Sequence, residues 1–252
     1  MCTLLLACRA HPRYRLILAT NRDEYYQRPT APAHFWEEAP QIFAGRDLVH
    51  GGTWLGVTST GRIAALTNYR DPSDPHRHGP SSRGRLVSAF LEEEAGAEEY
   101  LDRLRQSGIP YGGYNLLVGT SERLFCYSNK SDQLIPIEPG IHGLSNHLLD
   151  TPWPKVRRGK KGLARILSQE RFTSEELFAL LADDTHAPDQ ELPDTGVGLE
   201  LERILSPIFI KSAQYGTRCS SVLLVDREGT ATFIERSFEG GVAQERSATF
   251  QW

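Results

Sequence analysis

The chain has 252 residues, 39% hydrophobic and 24% charged, with a formal net charge of −4. That balance suits a globular domain and carries no electrostatic footprint for nucleic acid or an anionic membrane. No apolar run approaches the roughly 18–20 residues of a membrane span, and the start lacks the basic-then-apolar pattern of a secretory signal. The four cysteines, Cys2, Cys8, Cys126 and Cys219, show no C-x-x-C pairing and sit in apolar runs. Buried free thiols of that kind argue for a reducing, cytoplasmic setting and against a zinc ribbon or a disulfide scaffold. No linker, repeat or low-complexity tract divides the chain, so 1–252 is read as a single domain.

In chain order, residues 3–10 and 14–20 are apolar runs of strand length around a short break at Pro12, which predicts a β-hairpin. Antiparallel pairing then sets Cys2 across from Arg22, to within a residue, with Asn21, Asp23 and Glu24 beside it. The hairpin is apolar on both faces, Leu4, Leu6, Leu16 and Leu18 on one and Leu5, Ala7, Ile17 and Ala19 on the other. Such strands belong in the middle of a sandwich. Aminopeptidases remove Met1 when a small residue follows. Cys2 would then carry a thiol and a free α-amine, whose unperturbed pKa of roughly 7.7–8.0 suits it to take the thiol proton. Arg22 would favour the thiolate further.

Residues 25–40 read as an ordered loop packing its aromatic rings. Residues 41–48 form a short strand, and 53–58 and 62–67 a second hairpin that ends in Asn68, Tyr69, Arg70 and Asp71. His76 and His78 lie in a proline-rich loop without further ligands and are read as solvated, with no metal. Ser81 and Ser82 cap a helix running to Glu93, and a second helix covers 97–106. Strands follow at 111–120, 124–128, 134–137 and 141–146, the last ending Leu144, Ser145, Asn146. A helix starts at Pro152 or Pro154 and carries a basic face of Lys155, Arg157, Arg158, Lys160 and Lys161. That face reads as solvated surface, with phosphate binding as the alternative. Thr173 and Glu176 form a capping box for the next helix. Residues 183–196 are acidic, proline-containing and expected to be mobile, 199–207 a short helix, and 217–226 with 230–237 a final hairpin. Helical pairs alternating with hairpins predict an α+β fold, a four-layer αββα sandwich of two antiparallel sheets.

The opening MCTLLLA, Asn21-Arg22-Asp23-Glu24 with Arg28-Pro29 behind it, Gly51-Gly52-Thr53-Trp54-Leu55-Gly56 and Thr67-Asn68-Tyr69-Arg70 resemble the NRDE family, also called the transport and Golgi organisation protein 2 family. Ser82-Arg83-Gly84, Tyr114-Asn115-Leu116, Leu144-Ser145-Asn146 and Thr217-Arg218-Cys219 extend the match over nearly the whole chain. That family is similar in turn to the N-terminal-nucleophile cysteine amidases. The resemblance implies hydrolysis of a non-peptide C–N amide bond in a small-molecule substrate through a thioester at Cys2, without a cofactor. It also implies a homo-oligomer, as in related amidases. It assigns Arg22 and Arg218 to hold the nucleophile, Asn146 to donate its amide to the oxyanion and Tyr69 its backbone N–H. The amidases place an aspartate three positions after the first arginine. Tyr25 stands there in this chain, so Asp23 or Glu24 takes that role, and only one of them can face Cys2 on a regular strand. Asn21, Glu24, Asn68 and Arg70 complete the pocket as substrate-binding residues. The alternative is a non-catalytic carrier of a hydrophobic ligand such as haem or an acyl thioester.

Overall fold

The computed structural model describes residues 2–76, 81–239 and 242–252; the expectations for Met1 and His78 fall outside them. The hairpin of β1 (Cys2–Cys8) and β2 (Tyr14–Tyr25) forms in the predicted register, with Cys2 opposite Arg22. Further strands are β3 (Thr30–Phe35), β4 (Ile42–Asp47), β5 (Leu55–Thr58) and β6 (Ile63–Asn68), then β7 (Tyr114–Gly119), β8 (Leu124–Ser128), β9 (Gln133–Pro136) and β10 (Gly140–Leu144). The chain closes with β11 (Tyr215–Asp226), β12 (Thr230–Glu239) and β13 (Val242–Gln251). One antiparallel sheet has the order β10-β1-β2-β11-β12-β13, the other β3-β4-β5-β6-β7-β8-β9.

The αββα layering follows from which faces are apolar. Leu4, Leu6, Leu16 and Leu18 pack between the sheets against Leu55, Val57, Ile63 and Leu117. Leu5, Ala7, Ile17 and Ala19 face the opposite way, under helices α3 (Pro154–Leu167) and α4 (Ser174–Leu181). Helices α1 (Gly84–Glu92) and α2 (Ala97–Gln106) cover the second sheet through Leu86, Phe90, Tyr100 and Leu101. Gly159 lets α3 press onto the hairpin, since a Cβ there would lie 2.6 Å from Leu5. The short helix α5 (Leu199–Ile204) follows the acidic stretch. That stretch is held by ion pairs of Asp183 with Arg158, Asp189 with Arg203 and Glu191 with Arg157.

Several local expectations are corrected. The segment 25–40 contains β3, an edge strand whose register shifts between Ala31 and His34, where Pro32 can donate no ladder hydrogen bond. The C-terminal hairpin gains a third strand, β13, as the outer edge. Helix α1 has Arg83 as N-cap with no side-chain cap, so Ser81 and Ser82 do not cap it. The capping box at Thr173 and Glu176 forms, and Pro154 is the proline that opens α3. The basic face of α3 is not all solvated: Lys155 is only 2% exposed.

Candidate active site

The site lies where β1 begins and β2, β4 and β6 end. Cys2 is buried but lines an open cleft of about 430 Å³ with Arg22, Asp23, Glu24, Arg28, Asp47, His50, Trp54, Asn68 and Arg83. A second compartment of about 470 Å³ adjoins it and shares Glu24, Arg28, Asn68 and Arg83. Its remaining wall is largely apolar, including Tyr25, Tyr69, Pro72, Val197, Leu201, Ile204 and Tyr215.

Arg22 shares the inter-sheet face with Cys2 because the two are cross-strand partners. Its guanidinium donates to Thr30 Oγ1 at 3.1 Å and Asp47 Oδ2 at 3.3 Å, and its Cζ lies 4.2 Å from the centre of the Trp54 ring. Asp47 is the anchor of this wall: it also accepts from Arg28 and from the backbone N–H groups of Val49 and His50. A polar strand end beyond an apolar run was its only sequence signal.

Asp23 points to the other face. It is fully buried, and Thr217 Oγ1 donates to its Oδ1 at 2.7 Å. Glu24 instead lines both compartments and lies 4.0 Å from Arg28. The strand alternation therefore separates the two acids. Asp23 is the one whose charge acts on Cys2. Asn21 is bound into the fold, donating to the carbonyls of Leu181 and Ile208 and accepting from Ser220. Burial pushes the Cys2 thiol above its ordinary pKa, and the Asp23 carboxylate adds to this. Arg22 and the Asp23 backbone N–H pull it down without overcoming burial. Arg22 thus acts with the expected sign, but desolvation wins.

Other expected residues are placed differently. Arg218 falls in a register shift of β11. Its Nη1 donates to the carbonyls of Tyr25, Tyr26 and Arg28, so it fixes the loop after β2 and does not line the cleft beside Cys2. The Tyr69 backbone N–H donates to the Gly113 carbonyl at 2.9 Å and so extends the β6–β7 ladder; the oxyanion donor expected there is already bonded. Asn146 is fully buried, and its side-chain amide donates to the Asn68 carbonyl at 2.9 Å. Asn68 lines both compartments, and no hydrogen bond joins its side-chain amide to another described residue. Arg70 does line the second compartment, where it pairs with the buried Glu202 at 2.5 Å and lies over Trp153.

Lys155 is the residue the sequence reading missed. It lies in the same stripe of α3 as Gly159, Leu163 and Ile166, and that spacing of three and four was the available signal.

A sequence model of the transport and Golgi organisation 2 family matches residues 1–240. The chain is 38% identical over 243 residues to the Transport and Golgi organization 2 homolog of Mus musculus, covering 89% of this chain and 87% of that protein. It is 30% identical over 269 residues to the Drosophila melanogaster Transport and Golgi organization protein 2, covering 95% and 93%. Among solved structures it resembles a Caenorhabditis elegans ortholog of N-acylethanolamine-hydrolyzing acid amidase, with a TM-score of 0.58 at 10% identity over 88% of this chain and 92% of that one. It also resembles a mutant conjugated bile acid hydrolase from Clostridium perfringens, with a TM-score of 0.55 at 9% identity over 100% and 97%. The structural matches show a shared αββα fold, and the sequence matches show the lineage: this chain belongs to the transport and Golgi organisation 2 family.

Proposed function

We propose that the protein is an N-terminal-nucleophile hydrolase that cleaves a non-peptide C–N amide bond in a small molecule through a thioester at Cys2. The observation that carries this reading is the position of Cys2. Its thiol lies at the first strand position, on the wall of an open cleft, opposite a buried guanidinium and beside a buried carboxylate. Removal of Met1 frees the α-amine, which takes the thiol proton. The thiolate attacks the amide carbonyl carbon, and the C–O π electrons move onto oxygen. Collapse breaks the C–N bond, the α-ammonium returns the proton to the leaving amine, and water then cleaves the thioester. Asp23 orients the α-amine, and Arg22 favours the thiolate. The oxyanion accepts from the Asn68 side-chain amide, which Asn146 steadies through the Asn68 carbonyl. One such donor is worth roughly 3–4 kcal/mol of transition-state stabilisation.

The test is hydrolysis of an amide panel by protein whose intact mass shows Met1 gone. Wild type releases amine from at least one member and Cys2→Ala from none. Equal turnover by the two, or none by either, refutes the reading. A carrier role for a hydrophobic ligand is the second reading, and the apolar compartment beside the cleft favours it. It predicts equal ligand affinity for Met-retained and Met-free protein in equilibrium titration.

A further inference from the structure

Lys155 stands where a lysine has no structural reason to be. It is 2% exposed, and its Nζ has no hydrogen-bond partner among the described residues. It sits in the first turn of α3, directly after Pro154. There the helix dipole presents its positive end, so a cation is disfavoured. Burying an ammonium without a hydrogen bond costs several kcal/mol, and an apolar residue of equal length would be cheaper. Its charged surroundings come from every element packed at this corner: Asp23 on β2, Cys2 on β1, Arg70 after β6 and Glu202 on α5. Glu202 is already held by Arg70 and by Thr195. Asp23 is the carboxylate that acts most strongly on Lys155, and Lys155 is the strongest counterweight among described residues to the burial that neutralises Asp23. Burial brings the Lys155 ammonium down to about 8.

We propose that Lys155 is a positioning residue of the Cys2 site: its buried ammonium, on the helix-covered side of the hairpin to which Asp23 points and not hydrogen-bonded to it, favours the charged Asp23 carboxylate as the anchor for the Cys2 α-amine. This rests on the hydrolase reading for its purpose, but the electrostatic link itself does not. Lys155 does not line the cleft. It acts through Asp23 from the helix side of the hairpin, while substrate enters from the sheet side. The cost in stability is retained because without it the buried carboxyl group takes up a proton and ceases to anchor an ammonium.

The experiment follows the Asp23 carboxyl by carbon NMR across a pH titration in wild type, Lys155→Met and Lys155→Arg. Methionine keeps the volume without charge, and arginine keeps the charge without a proton to lose. Lys155→Met raises the Asp23 midpoint by about 1–3 units, the size of a close opposite charge. Lys155→Arg leaves it within about half a unit of wild type, which also shows that the charge and not the basicity of Lys155 is at work. An Asp23 midpoint that is the same in all three proteins overturns the proposal. Where a substrate amide is in hand, the acid limb of kcat/KM moves up with the Asp23 midpoint in Lys155→Met. A moving Asp23 midpoint in a protein that hydrolyses no amide refutes the hydrolase and leaves the link standing. A Cys2-dependent hydrolase whose Asp23 midpoint and pH profile ignore Lys155 refutes the link alone.

Discussion

Replacing Arg22 by methionine separates its two roles. The guanidinium is 5% exposed, makes hydrogen bonds to Thr30 and Asp47, and lies over Trp54. A hydrogen bond to a charged group contributes about 1.5–3 kcal/mol, and a desolvated cation–π contact about 2 kcal/mol. Two terms offset these. Methionine buries no charge, and Asp47 keeps Arg28 and the N–H groups of Val49 and His50. The net loss is then about 2–3 kcal/mol, which lowers Tm by about 4–12 °C for a chain of this size. The second role is electrostatic. Arg22 pulls the Cys2 thiol down against burial, so removing the guanidinium lifts the thiol further. Below its pKa that cuts the thiolate fraction, and with it alkylation, about tenfold per unit. The assay is iodoacetamide labelling of Cys2, followed by peptide mass spectrometry from about pH 7 to 9, beside a thermal melt. A variant labelled at the wild-type rate at every pH refutes the claim that this guanidinium acts on the sulfur. An unchanged Tm refutes the claim that its contacts with Thr30, Asp47 and Trp54 stabilise the fold.

Three further perturbations test the surrounding frame. Gly52→Ala puts a Cβ 2.4 Å from the backbone carbon of Gly84, the first residue of α1, and backbone cannot swing aside as a side chain can. It costs about 1–3 kcal/mol and shifts the α1 wall of the cleft, whereas Gly96→Ala, with nothing within 4 Å, leaves Tm unchanged. Burial raises the Asp150 carboxyl, but His142, Lys160 and the Gly143 N–H overcome it and hold it at about 2. Its depressed value stabilises the fold above pH ~4 and the contribution is lost as pH falls towards ~2, so Asp150→Asn, partly exposed, costs about 1–2 kcal/mol at neutral pH and flattens the acid side of the stability curve in urea melts. Glu235 is raised by burial, despite the Ala33 N–H, the Cys219 thiol and the hydroxyls of Ser221 and Ser237 around it. A raised acid stabilises at low pH and loses that contribution as pH climbs through its folded value. Glu235→Gln therefore lessens the fall in Tm as pH rises above the ordinary carboxylate value, and an unchanged difference between the two proteins at every pH sinks the assignment.

The hairpin was legible because its information is local. Two apolar runs and a turn fix the β1–β2 register, and the register alone places Cys2 against Arg22 and splits Asp23 from Glu24. The doubly apolar strands gave the layers, and the capping box gave the start of α4. Edge strands β3 and β13 were illegible for the converse reason. One face of each is solvated and one ladder is missing, so proline and charge are tolerated and the strand signal fades. The placements of Tyr69, Arg218 and Lys155 were decided by partners far along the chain. Gly113 takes the Tyr69 N–H, the loop after β2 takes Arg218, and α3 buries Lys155. The sequence by itself determined strand pairing, layer order and the neighbour of Cys2 across the hairpin. Only the tertiary structure decided which donors stay available and which charges lose their water, because hydrogen-bond occupancy and desolvation depend on what packs on top.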